Sequence, residues 1–123
     1  IRRWREIARQ AVKQCRRGLV PEIEPVMNIR RFLVGCQADH LKIMLYESRR
    51  GERSSWDEAF LQQPRPLRAT VLVGPEGGFT EKEAAMAAEA GFRLFSFGPR
   101  ILRAETAALA VMSVFMFALG DLR

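Results

Sequence analysis

Gly74-Pro75-Glu76-Gly77-Gly78-Phe79-Thr80 and, about twenty residues further on, Gly98-Pro99-Arg100-Ile101-Leu102-Arg103-Ala104-Glu105-Thr106-Ala107 decide how this chain is read. The first stretch follows the apolar run Ala69 to Val73, which has the length and composition of a buried strand, and its glycines supply backbone freedom that side chains would block. The second follows Phe92 to Phe97, another strand. Each loop then opens into a helix. Thr80-Glu81-Lys82-Glu83 has capping-box spacing and starts a helix that Gly91 ends, and a final helix is expected from about Ala104 to Leu119 with Gly120 as its stop. Open α/β sheets bind ligands beyond the carboxyl ends of their strands, so both loops should lie on that edge and frame one small-molecule site.

Working outward, Leu41 to Tyr46 is a compact apolar run that reads as a third strand, leading into the charged loop Glu47 to Arg53. Asn28 is placed to cap a helix running to about Gln37. Ser55-Trp56-Asp57-Glu58 repeats the capping-box spacing ahead of a brief helix that ends before Pro64. Gly18-Leu19-Val20-Pro21 should stop the first helix, and Glu22 to Met27 reads as extended, punctuated by Pro25. Helical sequence separates each strand from the next. Helical crossovers return the chain to the same edge, so the strands should pair in parallel, as an α/β fold with flanking helices. There is no internal repeat, low-complexity tract or flexible linker.

Composition narrows the class. With 123 residues, 48% of them hydrophobic, the chain can bury one core and should form a single domain. No apolar run approaches the roughly 20 residues that span a bilayer; the richest, Ala107 to Leu119, reads as a buried helix. No signal peptide is visible, and Ile1-Arg2-Arg3-Trp4 looks like a chain entered in mid-helix. Cys15 and Cys36 form no metal-ligand spacing and need no disulfide, which suits a reducing cytoplasm. Charge is uneven. Arg2, Arg3, Arg5, Arg9, Lys13, Arg16 and Arg17 face the single acid Glu6 within the first seventeen residues, which accounts for the whole net charge of +6. Ile1, Trp4, Ile7, Ala8, Ala11, Val12 and Cys15 recur there at helical spacing, so the helix should bury that stripe and turn its bases to solvent. Such a face either binds a polyanion by displacing counterions or is simply solvated.

The two loops resemble those of the 16S ribosomal RNA methyltransferases that modify the ring nitrogen at position three of uridine, a family of the knotted SPOUT class. The resemblance runs from about Trp4 to Arg123, with a looser match at Gln14-Cys15 and Val20-Pro21-Glu22-Ile23, and ends in the Gly-Asp-Leu tail. It implies a sheet whose carboxyl-terminal portion threads a loop to make a trefoil knot, with S-adenosylmethionine bent in the knotted cleft. It also implies a homodimer, a cytoplasmic location and small-subunit ribosomal RNA as substrate. Family members carry an amino-terminal RNA-binding barrel domain and a strand, helix and strand ahead of the point where this chain begins. By that comparison the chain looks like the carboxyl-terminal part of a methyltransferase domain. The cofactor would lie among Leu45 and Tyr46, the loop Gly74, Pro75, Glu76, Gly77 and Gly78, and the stretch Phe97, Gly98, Ile101 and Leu102, with Thr106 nearby. RNA would meet Arg2, Arg5, Arg9, Lys13, Arg16 and Arg17.

The chemistry of the loops agrees with a cofactor of that kind. A phosphate cradle is the competing reading, yet the first loop lacks the Lys-Ser/Thr ending of a P-loop, and Gly-x-Gly-x-x-Gly is absent. Glu76 would repel a phosphate, whereas S-adenosylmethionine carries a sulfonium cation; the plainer role for Glu76 is to brace its own turn. Methylating an imide nitrogen requires loss of its proton and stabilisation of the resulting uridinate. Arg103 would place positive charge at the uracil oxygens, and Glu105 would accept the proton or orient Arg103. Both also fit plainer roles, as an ion pair or, for Glu105 and Thr106, as caps of the last helix. His40, the one histidine, has no companion ligand and is given no role, and no metal site is expected. Trp4, Trp56, Phe92, Phe95 and Phe97 are read as core more than as base-stacking residues, and Met112, Phe115, Met116 and Phe117 as packing against the sheet or a second subunit. A noncatalytic RNA-binding or dimerising module of the same fold, and a SPOUT enzyme with another RNA target, stand as alternatives.

Overall fold

The computed structural model describes residues 1–36, 41–47, 56–60, 66, 68–97 and 100–120. In chain order the elements are α1 (Arg2–Cys15), α2 (Ile29–Gly35), β1 (Leu41–Leu45), α3 (Trp56–Phe60), β2 (Ala69–Leu72), α4 (Glu81–Glu89), β3 (Arg93–Phe95) and α5 (Ala104–Ala118). The three strands form one parallel sheet in the order β2-β1-β3, with Ile43 of β1 opposite both Val71 and Arg93. The expected parallel α/β arrangement is therefore present.

Strand β1 is central: its Lys42 is half-buried, with Nζ donating to the Ala90 carbonyl at 2.7 Å, and its other four residues are apolar, as suits a strand flanked on both edges and covered on both faces. Its side chains alternate between two cores. Leu41 and Ile43 join Ala59, Phe95, Val111 and Phe115 on the side of α3 and α5, while Met44 joins Leu33, Cys36, Ala84, Ala87 and Phe92 on the side of α2 and α4. Burying these side chains is the main driving force for the fold, at about 1.5–3 kcal/mol for each large residue taken fully out of water.

Local signals set the helix ends. Asn28 caps α2, its Oδ1 accepting from the Arg31 N–H at 2.9 Å. Thr80 and Glu83 form the full capping box of α4: Thr80 N–H donates to Glu83 Oε2 at 2.8 Å and Glu83 N–H to Thr80 Oγ1 at 3.1 Å. Gly91, at φ 89°, ends that helix in a conformation that a Cβ would disfavour. Gln37, His40, Ser55, Pro64, Gly98, Pro99 and the Gly-Asp-Leu tail beyond Gly120 lie outside the described residues.

Two expectations about α1 need correction. The helix ends at Cys15, with Arg16 itself taking the left-handed conformation at φ 58°, before Gly18 is reached. And α1 buries none of its residues: Trp4 and Ile7 are 58% and 55% exposed. An amphipathic pattern specifies which face is apolar and not what covers it. Among the described residues the hydrogen bond tying α1 to the following chain is Arg5 Nη2 to the Ile23 carbonyl, 3.1 Å. The sheet's own apolar surface is covered by the other four helices.

Helix α5 lies on the sheet through one stripe, Ala107, Val111 and Phe115, spaced i, i+4, i+8. Its other faces are also apolar, and Leu109, Met112 and Phe117 are 73%, 53% and 63% exposed. The sequence expectation of a wholly buried helix thus holds for one stripe only. No helix among the described residues is long and apolar enough to cross a membrane.

Candidate functional site

All three strands run the same way, so their carboxyl ends deliver three segments to one edge. Residues following β1, β2 and β3, together with the start of α5, enclose a cleft of about 850 Å³. Leu45, Tyr46 and Glu47 form its floor, the loop 73–81 one wall, and residues 95–97 and 100–104 the other.

The first wall is shaped by its glycines. A turn closes between Pro75 and Gly78, whose N–H donates to the Pro75 carbonyl at 2.8 Å. Gly78 sits at φ 72°, where an L side chain costs about 1–2 kcal/mol. Gly74 is confined for another reason: a Cβ there would stand 3.2 Å from the Phe79 ring, which packs over the base of the loop. Gly77 also lines the cleft, and a Cβ there would meet open space.

In the second wall, Arg103 is the N-cap residue of α5, with extended backbone (φ −61°, ψ 151°) and no side-chain cap bond. Its exposed side chain makes no ion pair or hydrogen bond with a described residue. The plainer reading of Arg103 as one half of an ion pair with Glu105 is therefore not what the structure contains. Helical geometry explains which neighbours face the cleft. Ala104 and Ala107, three apart, line it together with Arg103, whereas the intervening Glu105 and Thr106 are rotated away by about 100° and 200°. Glu105 and Thr106 are exposed and stand off the cleft, and neither supplies a side-chain cap to α5. The expected cofactor residues Leu45, Tyr46, Gly74 to Gly78, Phe97, Ile101 and Leu102 all line the cleft, and Gly98 lies outside the described residues.

Several lining residues escaped the sequence reading: Glu47, Phe79, Thr80, Glu81 and Ser96. Each directly adjoins or falls within a loop already singled out, so extending the carboxyl-edge rule by one or two residues would have found them. Their charges divide the cleft, with Glu47, Glu76 and Glu81 set against Arg100 and Arg103. Among the described residues no cluster of His, Cys, Asp and Glu suits a metal ion.

The expected RNA-contacting residues lie apart from the cleft, on α1 and its carboxyl end. Arg2, Arg5, Arg9, Lys13, Arg16 and Arg17 are all exposed. Arg9 is partly engaged, its Nη2 2.7 Å from Glu6 Oε2 in a pair with both side chains more than half exposed, where solvent screens most of the attraction. The Glu6 carboxyl is held below its ordinary range by a hydrogen bond from Gln10 first, and then by the hydrogen bond and charge of Arg9.

Comparison with known proteins places this architecture. The chain is 33% identical over 123 residues to ribosomal RNA small subunit methyltransferase E of Bacillus subtilis, an overlap of 98% of this chain and 48% of that protein. The enzyme of the same name from Mycobacterium tuberculosis is 32% identical over 116 residues, covering 91% of this chain and 42% of its own length. Among solved structures, a Legionella pneumophila methyltransferase in complex with the bound cofactor SAM superposes with a TM-score of 0.83 at 32% identity, over 95% of this chain and 46% of that one. Ribosomal RNA small subunit methyltransferase E from Neisseria gonorrhoeae, bound to S-adenosyl methionine, gives 0.77 at 34% identity, over 94% and 46%. The chain thus spans about half the length of the relatives it matches. The sequence profile of the RNA methyltransferase domain matches residues 1–116, and the chain belongs to that family.

Proposed function

We propose that this chain is the cofactor-binding part of an S-adenosylmethionine-dependent methyltransferase acting on the position-three nitrogen of a uridine in small-subunit ribosomal RNA. The observation that carries this reading is the carboxyl-edge cleft, in which the two sequence-defined loops face each other across residues 45–47. Its volume is in the range of small-molecule cofactor sites. The open space beside Gly77 and the left-handed Gly78 let main-chain N–H and C=O groups reach a ligand directly. Among the described residues three carboxylates, Glu47, Glu76 and Glu81, outnumber the two arginines, Arg100 and Arg103, along the cleft, a balance that favours a cationic ligand over a phosphorylated one. The residues present therefore fit S-adenosylmethionine, the cofactor held by the related structures from Legionella and Neisseria.

Leu45 and Tyr46, the loop Gly74 to Gly78, and Phe97, Ile101 and Leu102 would hold the cofactor. When bound, it supplies an electrophilic methyl group. The chain's own task is then to present the imide nitrogen, its proton passing to solvent, in line with that methyl. Arg103, at the cleft mouth and beside the positive end of α5, stabilises the negative charge that develops on the uracil oxygens. Glu105, turned off the cleft, is given no proton transfer in this reading. The exposed bases of α1 bind RNA phosphates, and the exposed apolar face of α5 pairs with a second subunit in a homodimer with a knotted sheet. The test is single-turnover methyl transfer from labelled S-adenosylmethionine to small-subunit RNA by the full-length protein, with the modified atom located by mass spectrometry. Methyl groups on ribose or on another base would refute the uridine assignment.

A further inference from the structure

One wall of the cleft is held in place by a residue that does not itself line it. The last ladder bond at the end of β3 is Tyr46 N–H to the Phe95 carbonyl, 2.9 Å. Beyond it the main chain of Ser96 and Phe97 leaves the sheet while still lining the cleft. Among the described residues, the hydrogen bond to this segment comes from Trp56, whose Nε1 donates to the Ser96 carbonyl at 3.3 Å. The indole also stacks on Phe97, with centroids 5.1 Å apart and planes 19° from parallel, and lies tilted against Phe95 at 4.5 Å. It continues through Phe60, at 6.0 Å, to an edge-on contact between Phe60 and Phe115 of α5, at 5.3 Å. The start of α5 forms the adjoining part of the same wall.

We propose that Trp56 is a positioning residue for the cofactor: it fixes the Ser96–Phe97 main chain against which the cofactor is held, a role that rests on the cofactor reading given above. Packing alone does not account for this arrangement. A phenylalanine would fill most of the same apolar space, whereas the indole N–H supplies a partner for a carbonyl that has left the ladder. Ring stacking sets the plane of Phe97 and the hydrogen bond sets the rotation of the peptide before it. A cofactor recognised by main-chain atoms is sensitive to that rotation.

Trp56→Phe in the full-length protein separates the two contributions, because it keeps an aromatic ring and removes the donor. The dissociation constant for S-adenosylmethionine, measured by calorimetry, should rise about fivefold, the scale of one hydrogen bond. The single-turnover rate at saturating cofactor should stay within about twofold, since the reacting atoms are not touched. A readout without cofactor accompanies these: amide hydrogen exchange at Tyr46, whose N–H closes the ladder on the Phe95 carbonyl just before this segment, should quicken in the variant while Ile43 and Met44 of the central strand keep their protection. A variant with wild-type affinity, or with unchanged exchange at Tyr46, overturns the positioning role even if its melting temperature falls. A wild-type protein that binds no S-adenosylmethionine overturns the cofactor reading and this role with it; a wild-type protein that binds, beside a variant that binds equally well, overturns this role alone.

Discussion

Replacing Arg103 with serine should raise stability and lower activity at once. Arg103 occupies the N-cap of α5 with the extended backbone that a capping residue adopts, yet no side chain accepts a hydrogen bond from the first-turn amides. Serine places an acceptor there, within reach of the N–H groups of Glu105 or Thr106, and such caps are worth about 1 kcal/mol. Arg103 is exposed and makes no hydrogen bond or ion pair with a described residue, so its removal takes nothing comparable away. For a protein of the relatives' size, 1 kcal/mol corresponds to a rise of about 3 °C in melting temperature. The effect on chemistry runs the other way. Loss of a charged donor aimed at developing negative charge costs about 2.7 kcal/mol or more, a rate reduction of about 100-fold. Cofactor affinity should change little, because a sulfonium gains nothing from a nearby cation. The assays are calorimetric melting, S-adenosylmethionine titration and single-turnover methyl transfer on the full-length protein. A variant that melts lower, or one that transfers methyl groups at the wild-type rate, would refute the assignment of Arg103 to chemistry.

Other substitutions test the remaining parts. Gly77→Val should abolish measurable S-adenosylmethionine binding with an unchanged circular dichroism spectrum, because it adds bulk to a cleft-lining position where a Cβ meets no other part of the protein; undiminished binding by the folded variant would contradict this. Gly74→Ala should destabilise by about 1 kcal/mol, since the new methyl presses on the Phe79 ring, and urea denaturation would show it. Thr80→Ala breaks the capping box of α4 and should cost about 1 kcal/mol in the same assay. Leu109→Glu with Phe117→Glu should convert a dimer to monomers in sedimentation, with little change in stability of the monomer, because both positions are more than three-fifths exposed; an unaffected dimer would place the interface elsewhere.

What could be read from sequence was what local chemistry decides. Strand order along the chain, parallel pairing, the caps at Asn28 and Thr80 and the stop at Gly91 follow from short-range signals, and each is present. The cleft was legible because parallel strands deliver their following loops to one edge, and both loops were recognisable. Less accessible was the rotation of residues on α5. Glu105 and Thr106 sit in the same motif as Arg103, but a helix turns successive side chains by 100°, so adjacency in sequence does not place them in the same cleft. The fate of α1 was also hidden, since its stripe predicts a buried face only if something lies against it. Trp56 had no local signal at all. Its contacts to Ser96 and Phe97 span about forty residues and exist only once α3 has docked behind the end of β3.

On the proposed function, the carboxyl-edge cleft holds S-adenosylmethionine for methyl transfer to uridine in small-subunit RNA. Its most direct test is a single-turnover reaction of the full-length protein with methyl-labelled cofactor and small-subunit RNA, run beside the Gly77→Val variant. One label per RNA is expected, on the position-three nitrogen of a uridine, and none with the variant. Label on any other atom, or equal labelling by the variant, would contradict it.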